Sequence, residues 1–143
     1  MIRNFTYHSE IQQIPAIRKD LTELQSEWVI PDSEMRQISV MIEEIFSNIL
    51  RYAYRDKLEH QVHIQLEKKH EAILIQITDD GIPFNPLEHH PGRVPDPAMS
   101  EDSGMGLTLI KTFSSSISYK RVDGNNHLLI TKKIKSNHGQ QEE

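Results

Sequence analysis

Apolar residues recur at three- and four-residue steps in the first third of the chain, which is the period of an α-helix. One run begins near Pro15, a residue that suits a first helical turn. A second run, over residues 35 to 52, follows Asp32 and Ser33, either of which can cap a helix. The pattern predicts a short strand over residues 3 to 8 and then two amphipathic helices.

Beyond the second helix the apolar period changes from about 3.6 to two. Residues 62 to 66 and 73 to 77 alternate in polarity around the turn sequence KKHE, as in a β-hairpin. A third helix is expected to begin near Gly104. Two more strands, about 116 to 122 and 127 to 134, are joined by DGNN, a good tight-turn sequence. The order β-α-α-β-β-loop-α-β-β predicts an α+β, two-layer α/β sandwich. Its mixed, mostly antiparallel sheet would have about five strands, with three helices on one face.

The length of 143 residues suits one domain of ordinary size. We therefore predict a single domain over residues 1 to 135 and a polar C-terminal tail over residues 136 to 143. The chain has no cysteine, which excludes disulfides, thiolate nucleophiles and cysteine-based zinc sites.

The charge and the apolar runs indicate where the protein acts. A formal net charge of −5, with dispersed lysines and arginines, provides no basic stripe for a phosphate backbone. The N-terminus lacks the pattern of a signal peptide, and no apolar stretch has the length of a membrane span. We expect a cytoplasmic protein whose partners include neither nucleic acid nor a membrane.

Four polar residues, Glu44, Asn48, Arg51 and Arg55, follow the border of the second helix's apolar face. At about 100° per residue they share a sector roughly 60° wide. A solvated helix edge commonly has the same arrangement, and that is the interpretation favoured by this pattern alone.

A second candidate feature begins where a predicted strand ends in Asp79, Asp80 and Gly81. Asp-Gly and Pro are common turn formers, so a plain turn is the simplest interpretation. The following segment, Asn85 to Ser103, has four prolines and no periodic pattern. Because loops of this length in compact domains are often lids or binding loops, we predict a lid.

The third candidate feature is a glycine-containing segment that opens the third helix: Gly104, Met105, Gly106 and Leu107. Glycines let the backbone approach a ligand closely, and the first N–H groups of a helix favour an anion. A flexible start to a packed helix explains the segment equally well. A Walker-type GxxxxGK[ST] and a GxGxxG after a first strand are both missing, so neither a P-loop nor a dinucleotide-binding fold is supported.

In order and spacing, the three features together resemble the GHKL, or Bergerat-fold, ATPases over residues 33 to 134. Glu-x-x-x-Asn on a helix is followed by Asp-x-Gly at a strand end, a lid, and Gly-x-Gly-Leu opening a helix. DDGIPF, SGMGLTLIK and the separate leading strand and helix look most like the RsbW-type anti-sigma-factor serine kinases. NILRYAY is similar to the asparagine box of histidine kinases, but no dimerising phosphoacceptor helix pair or receiver accompanies it.

The resemblance implies a site for ATP and Mg²⁺. Asn48 would give its amide oxygen to Mg²⁺, Glu44 would orient or deprotonate the attacking hydroxyl, and Arg51 would offset phosphate charge. Asp79 would accept a hydrogen bond from the adenine amino group, and Gly81 would let the backbone pass beside the base. The phosphates would meet backbone N–H groups of Gly104, Met105, Gly106 and Leu107.

Two positions depart from the family pattern. Pro83 stands where many relatives have the second glycine of Asp-x-Gly-x-Gly, and it stiffens the turn. Many members also have a threonine near the start of the last strand that helps to hold the adenine, whereas this chain has NNHLL. Asn126, His127 or water can take the place of that threonine.

As a function, the resemblance implies a protein serine/threonine kinase that also acts as an anti-sigma factor. It would phosphorylate an anti-sigma-factor antagonist protein and sequester a sigma factor, and a homodimer is compatible with this role. One alternative is a nucleotide-dependent binding module that transfers no phosphate, which the presence of both Glu44 and Asn48 disfavours. Another is the ATP-binding domain of a histidine kinase, which would need a separate phosphoacceptor.

Overall fold

The computed structural model describes residues 1–54, 56, 58–88 and 108–134. The strands are β1 (Ile2–His8), β2 (Gln61–Lys68), β3 (Ala72–Asp79), β4 (Ser116–Val122) and β5 (Asn125–Lys133). The helices are α1 (Ile14–Trp28), α2 (Asp32–Asn48) and α3 (residues 108 to 113), with a 3-10 turn at Ile11–Gln13 and a π-helix at Ile49–Ala53. Arg55, most of the predicted lid, Gly104 to Leu107 and the predicted tail lie outside the described residues.

The strands form one sheet in the order β1-β2-β3-β5-β4. All the pairs between the described strands are antiparallel. Strand β3 is central and pairs with both β2 and β5, so its C-terminal end lies beside the start of β5. The predicted α+β sandwich is confirmed.

The helices cover one face of this sheet. Alternate residues of the central strands are buried, as the period of two predicts, and Ile75 and Ile130 are fully buried. They share one core with the apolar stripe of α2, for example Ile42, and with Ile110 of α3. Each Å² of apolar surface removed from water stabilises the folded state by about 25 cal/mol. This shared face is therefore the main stabilising feature of the fold.

The N-terminus of α2 differs from the prediction. Pro31 is the N-cap residue, with φ −57° and ψ 145°, and no side chain makes a capping hydrogen bond. Asp32 is already helical, so the prediction that Asp32 or Ser33 caps the helix is wrong. The rigid, extended proline sets the entry direction, and acidic residues in the first turn favour the positive end of the helix dipole.

Helix α2 changes geometry directly after Asn48. Residues Ile49–Ala53 form a π-helix, a wider turn that is frequent at functional sites. The regular angular spacing used to place Arg51 in one sector with Glu44 and Asn48 therefore ends at Asn48. Arg51 is exposed to solvent in this structure.

A tight turn joins β4 to β5. Its two residues, Asp123 and Gly124, have φ values of 50° and 80°, as a type I′ hairpin turn requires. Because the turn needs only these two residues, β5 begins at Asn125, not at residue 127 as predicted. This earlier start places Asn126 directly opposite Asp79 in the sheet.

Candidate functional site

Asn48 is the last residue of α2, and its side chain lies between the helix layer and the sheet. Its side chain is buried, with 5% of its surface exposed. Its Oδ1 atom receives no hydrogen bond from any residue that the structure describes. A buried polar atom without a partner costs about 1–3 kcal/mol, so it indicates a missing ligand or water. An amide oxygen is a ligand that Mg²⁺ accepts, so the predicted metal role of Asn48 stays a prediction that its chemistry allows.

Glu44 lies one helical turn before Asn48 and is half-buried. It lines an open cleft of about 390 Å³, whose wall also includes Ser47 of α2 and Leu109 of α3. Ile14 and Arg18 of α1 also line the cleft. A carboxylate in this position is accessible to a substrate group that enters from solvent.

Asp79 ends β3 and is buried, with 4% of its surface exposed. Its Oδ1 atom accepts hydrogen bonds from the Gly81 N–H at 2.9 Å and from Asn126 Nδ2 at 2.9 Å. Burial raises the pKa of the Asp79 carboxyl, and these two hydrogen bonds partly offset that increase. The result is a buried acceptor with one oxygen already occupied.

Gly81 packs against the end of the π-helix. A Cβ atom at this position would lie 2.5 Å from the carbonyl oxygen of Ala53 and 2.7 Å from its Cβ. The next residue, Ile82, donates its N–H to that same carbonyl oxygen at 2.8 Å. Glycine is therefore required at this position by close backbone packing on Ala53. This packing places Asp79 beside the end of the π-helix.

Asn126 is the residue of NNHLL that reaches Asp79. His127 is on the opposite face of β5, where its Nδ1 lies 3.2 Å from Thr78 Oγ1. Of Asn126 and His127, the two residues expected in place of the usual threonine, Asn126 is thus the one beside Asp79. Arg121, which was not among the predicted site residues, donates to the Gly81 carbonyl oxygen at 2.7 Å. The hairpin register is the sequence signal that would have found it.

Asn48, Asp79 and Asn126 line the same cleft between the helix layer and the sheet. The open space there is about 10 Å³, which is room for about one water molecule. Phe84 also lines this cleft and stacks on Tyr52, with ring centroids 5.3 Å apart. The open space between these side chains is therefore smaller than a nucleotide base.

The structure brings together some of the predicted site residues and not others. Asn48 and Asp79 share one cleft, and Glu44 lines a second cleft along the same helix. Arg51 lines neither of these clefts. Residues 104 to 107, predicted to meet the phosphates, lie outside the described residues.

A cluster of charged groups close to Asp79 was not predicted. The two ring nitrogens of His60 lie 3.0 Å from Asp80 Oδ1 and 2.7 Å from Asp56 Oδ1, and the ring stacks on Tyr54. The hydrogen bond with Asp56 is the main cause that raises the pKa of His60. An imidazole that donates from both nitrogens is positively charged, so the cluster links the segment after the π-helix to the end of β3.

The described residues contain neither a cluster of metal ligands nor a membrane-spanning helix. No group of three His, Cys, Asp or Glu side chains is placed to hold a metal ion. None of the helices in the described part of the chain has both the length and the apolar character needed to cross a membrane.

The amino-acid sequence matches one known family over most of its length. Residues 7–132 match the profile of the family described as "Histidine kinase-like ATPase domain".

Curated relatives align over a shorter part of the chain. The serine/threonine-protein kinase BtrW of Bordetella bronchiseptica is 29% identical over 98 residues, which cover 66% of this chain and 67% of that kinase. The anti-sigma F factor of Oceanobacillus iheyensis is 28% identical, covering 59% of this chain and 58% of that factor. The anti-sigma F factor of Bacillus subtilis is 26% identical, covering 59% of both chains. The alignments therefore span less than two thirds of either anti-sigma F factor.

Two solved structures with the same fold are histidine kinases. The blue-light activated histidine kinase EL346 of Erythrobacter litoralis superposes with a TM-score of 0.56 at 16% identity, over 73% of this chain and 32% of that chain. The histidine kinase AdeS of Acinetobacter baumannii superposes with a TM-score of 0.51 at 12% identity, over 95% of this chain and 70% of that chain. At these identities the likeness shows the fold alone.

Proposed function

Because the chain belongs to the histidine kinase-like ATPase, or GHKL, family, we propose that it is an ATP- and Mg²⁺-dependent protein serine/threonine kinase that also acts as an anti-sigma factor. It would act in the cytoplasm. The observation that carries this proposal is the buried, unpartnered Oδ1 of Asn48, in one cleft with the buried carboxylate of Asp79. Asn48 can bind a metal ion through its amide oxygen, and Asp79 can accept a hydrogen bond from a nucleotide base.

The metal would be held by Asn48. Mg²⁺ prefers oxygen ligands and keeps several waters, so a single amide oxygen together with nucleotide phosphates is a typical protein site for it. When bound, ATP supplies the transferred phosphoryl group and Mg²⁺ offsets its negative charge. Arg51 would add positive charge from the solvent side, where it is exposed. Gly104, Met105, Gly106 and Leu107 are proposed to contact the phosphates.

The base would be held by Asp79. Asp79 accepts two hydrogen bonds from the described residues, and both of them end on Oδ1. Its Oδ2 accepts none from this part of the chain. Oδ2 can therefore accept from the adenine amino group, whereas guanine presents an acceptor at the same position. Gly81 keeps this carboxylate in place through its packing on Ala53.

Glu44 would be the general base for the substrate hydroxyl. It lies on α2 one turn from Asn48, so that its carboxylate and the metal ligand lie on neighbouring parts of one helix face. The cleft of about 390 Å³ beside it opens to solvent and can admit a serine- or threonine-bearing segment of another protein. The proposed substrate is an anti-sigma-factor antagonist, and the proposed sequestered partner is a sigma factor. A homodimer is part of the same proposal.

Two similarities support this choice within the family. The Bordetella relative is named as a serine/threonine-protein kinase, and several other relatives are named as anti-sigma F factors. Their names supply the activity and the partner class that we propose for this chain.

The test is phosphoryl transfer from γ-³²P-labelled ATP with Mg²⁺ to the proteins encoded by neighbouring genes. The expected product is one labelled protein whose phosphate resists acid, as phosphoserine and phosphothreonine do. Acid-labile label on a histidine would favour the ATP-binding domain of a histidine kinase. Nucleotide-dependent partner binding without label on any protein would favour the non-catalytic binding module. In both of these cases the kinase proposal would be overturned.

A further inference from the structure

The side-chain amide of Asn126 has a hydrogen-bond partner in every direction. Its Nδ2 donates to Asp79 Oδ1 at 2.9 Å and to the Ile82 carbonyl oxygen at 2.8 Å. Its Oδ1 accepts from the Phe84 N–H at 3.2 Å and from the Tyr119 hydroxyl. With 3% of its surface exposed, the side chain has almost no access to water. A buried amide can make four hydrogen bonds, and this one makes all of them.

These partners allow only one orientation of the amide. If the nitrogen and oxygen were exchanged, the oxygen would face the Asp79 carboxylate and the Ile82 carbonyl, both of which are acceptors. The nitrogen would then face the Phe84 N–H, which can only donate, while the Tyr119 hydroxyl could turn to accept. Asn126 therefore presents a fixed donor to Asp79.

The donors that bind Asp79 Oδ1 leave Asp79 Oδ2 as the oxygen that can accept a further hydrogen bond. Asp79 Oδ1 receives both Asn126 Nδ2 and the Gly81 N–H, so its accepting positions are occupied. An incoming amino group therefore meets Oδ2. The same donors favour the ionised carboxylate, which accepts hydrogen bonds and donates none.

We propose that Asn126 is the positioning residue that gives this site its preference for the 6-amino group of adenine, because it holds Asp79 with Oδ2 directed to the base. The inference rests on the ATP-binding function proposed above. A threonine hydroxyl has a single proton and could not donate to Asp79 and the Ile82 carbonyl at once. The asparagine thus couples recognition of the base to the backbone of Ile82 and Phe84, and the Phe84 side chain lines the cleft.

The test compares two nucleotides that differ only at the 6-position. ATP and purine riboside triphosphate, which has hydrogen in place of the amino group, are titrated by calorimetry with Mg²⁺ into the wild type and into Asn126→Ala, Asn126→Asp and Asn126→Thr. A hydrogen bond to a charged group corresponds to a preference for ATP of about 10- to 100-fold in the wild type.

We expect Asn126→Ala and Asn126→Asp to reduce this preference to less than about threefold while the affinity for purine riboside triphosphate stays nearly the same. Asn126→Thr keeps one donor and should keep part of the preference. His127→Asn is the matched control, since His127 is the adjacent residue on the opposite sheet face, and it should keep the full preference. In the ligand-free protein, ¹³C NMR should show a higher pKa for the Asp79 carboxyl in Asn126→Ala, because a donor to the carboxylate is lost.

The possible failures are distinguishable. A wild type that binds neither nucleotide overturns the proposed function as well as this inference. A folded Asn126→Ala or Asn126→Thr protein that keeps the full preference for ATP, or loses affinity for both nucleotides equally, overturns the role of Asn126 and leaves ATP binding intact. Should Asn126→Asp not fold because two carboxylates meet in the core, the Ala and Thr variants still decide the outcome.

Discussion

A methyl group at Gly81 would overlap the backbone at the end of the π-helix, so Gly81→Ala tests how the site is packed. The new Cβ atom would lie 2.5 Å from the Ala53 carbonyl oxygen, 2.8 Å from its carbonyl carbon and 2.7 Å from its Cβ. These are mainly backbone atoms, which cannot rotate away as a flexible side chain can. The loop from residue 80 to 82 must therefore move.

The energetic cost follows from two contributions. Overpacking of a dense region costs typically about 1–3 kcal/mol. Displacement of the loop also weakens the hydrogen bond from the Ile82 N–H to Ala53, which is 2.8 Å long and worth about 0.5–1.5 kcal/mol. We expect Gly81→Ala to lower the free energy of unfolding by about 2–4 kcal/mol and the Tm by about 5–15 °C.

Urea denaturation followed by circular dichroism measures the change in stability. Gly124→Asn is the control, because Gly124 has no atom within 4 Å of a built Cβ and its φ of 80° is one that asparagine tolerates. The control should stay within about 1 kcal/mol of the wild type. In the double variant Gly81→Ala with Ala53→Gly, only part of the loss should be recovered, because the carbonyl oxygen at 2.5 Å remains.

Two results would refute this reasoning. If Gly81→Ala unfolds at the same urea concentration as the wild type, the close packing on Ala53 does not stabilise the protein. If the double variant Gly81→Ala with Ala53→Gly is as stable as the Ala53→Gly protein alone, the clash is with the Ala53 side chain and not with its backbone.

Three further predictions concern metal binding, catalysis and pH. Asn48→Ala should abolish the Mg²⁺ dependence of ATP binding in calorimetry, since it removes the proposed metal ligand. Glu44→Gln should slow single-turnover phosphorylation of the proposed antagonist substrate roughly 10²- to 10⁴-fold, with ATP affinity retained. The pKa of His60 is raised, first by Asp56, so its contribution to stability is complete below its ordinary value of 6.5. That contribution is lost as the pH rises through the raised pKa. Urea denaturation between about pH 5.5 and 9 should show this loss in the wild type and not in His60→Gln.

Each of these predictions has its own contrary outcome. Unchanged ATP binding and turnover in Asn48→Ala would remove Asn48 from the metal site. Normal phosphorylation by Glu44→Gln would show that another group accepts the proton. Equal pH profiles for the wild type and His60→Gln would show that the cluster around His60 does not stabilise the fold.

The local patterns that predicted the fold depend on neighbours in the sequence. An apolar period of 3.6 residues in a helix, or of two residues in a strand, indicates which residues share a face. This pattern can be recognised within a short stretch of sequence. The β4-β5 hairpin was predicted for the same reason, because Asp-Gly has the positive φ values that a two-residue turn needs. The order of the polar motifs likewise predicted the family, since each motif is a short stretch of sequence.

The contacts within the site depend on residues that are distant in the sequence. Whether Asn126 or His127 faces Asp79 depends on strand register, and a shift of one residue exchanges the two faces. The π-helix after Asn48 and the contact of Gly81 with Ala53 were not predicted, because they arise where two segments pack together.

By itself, the sequence determined most of the elements, the α+β class and the family, and it supplied the prediction that Asn48 and Asp79 are site residues. Only the tertiary structure decided that Asn126 donates a hydrogen bond to Asp79, that His60 lies between two carboxylates, and that Phe84 lines the cleft. The physical reason is that periodicity and turn preference are local properties of the backbone. Hydrogen bonds and packing between segments instead depend on register and close approach, which the whole fold sets.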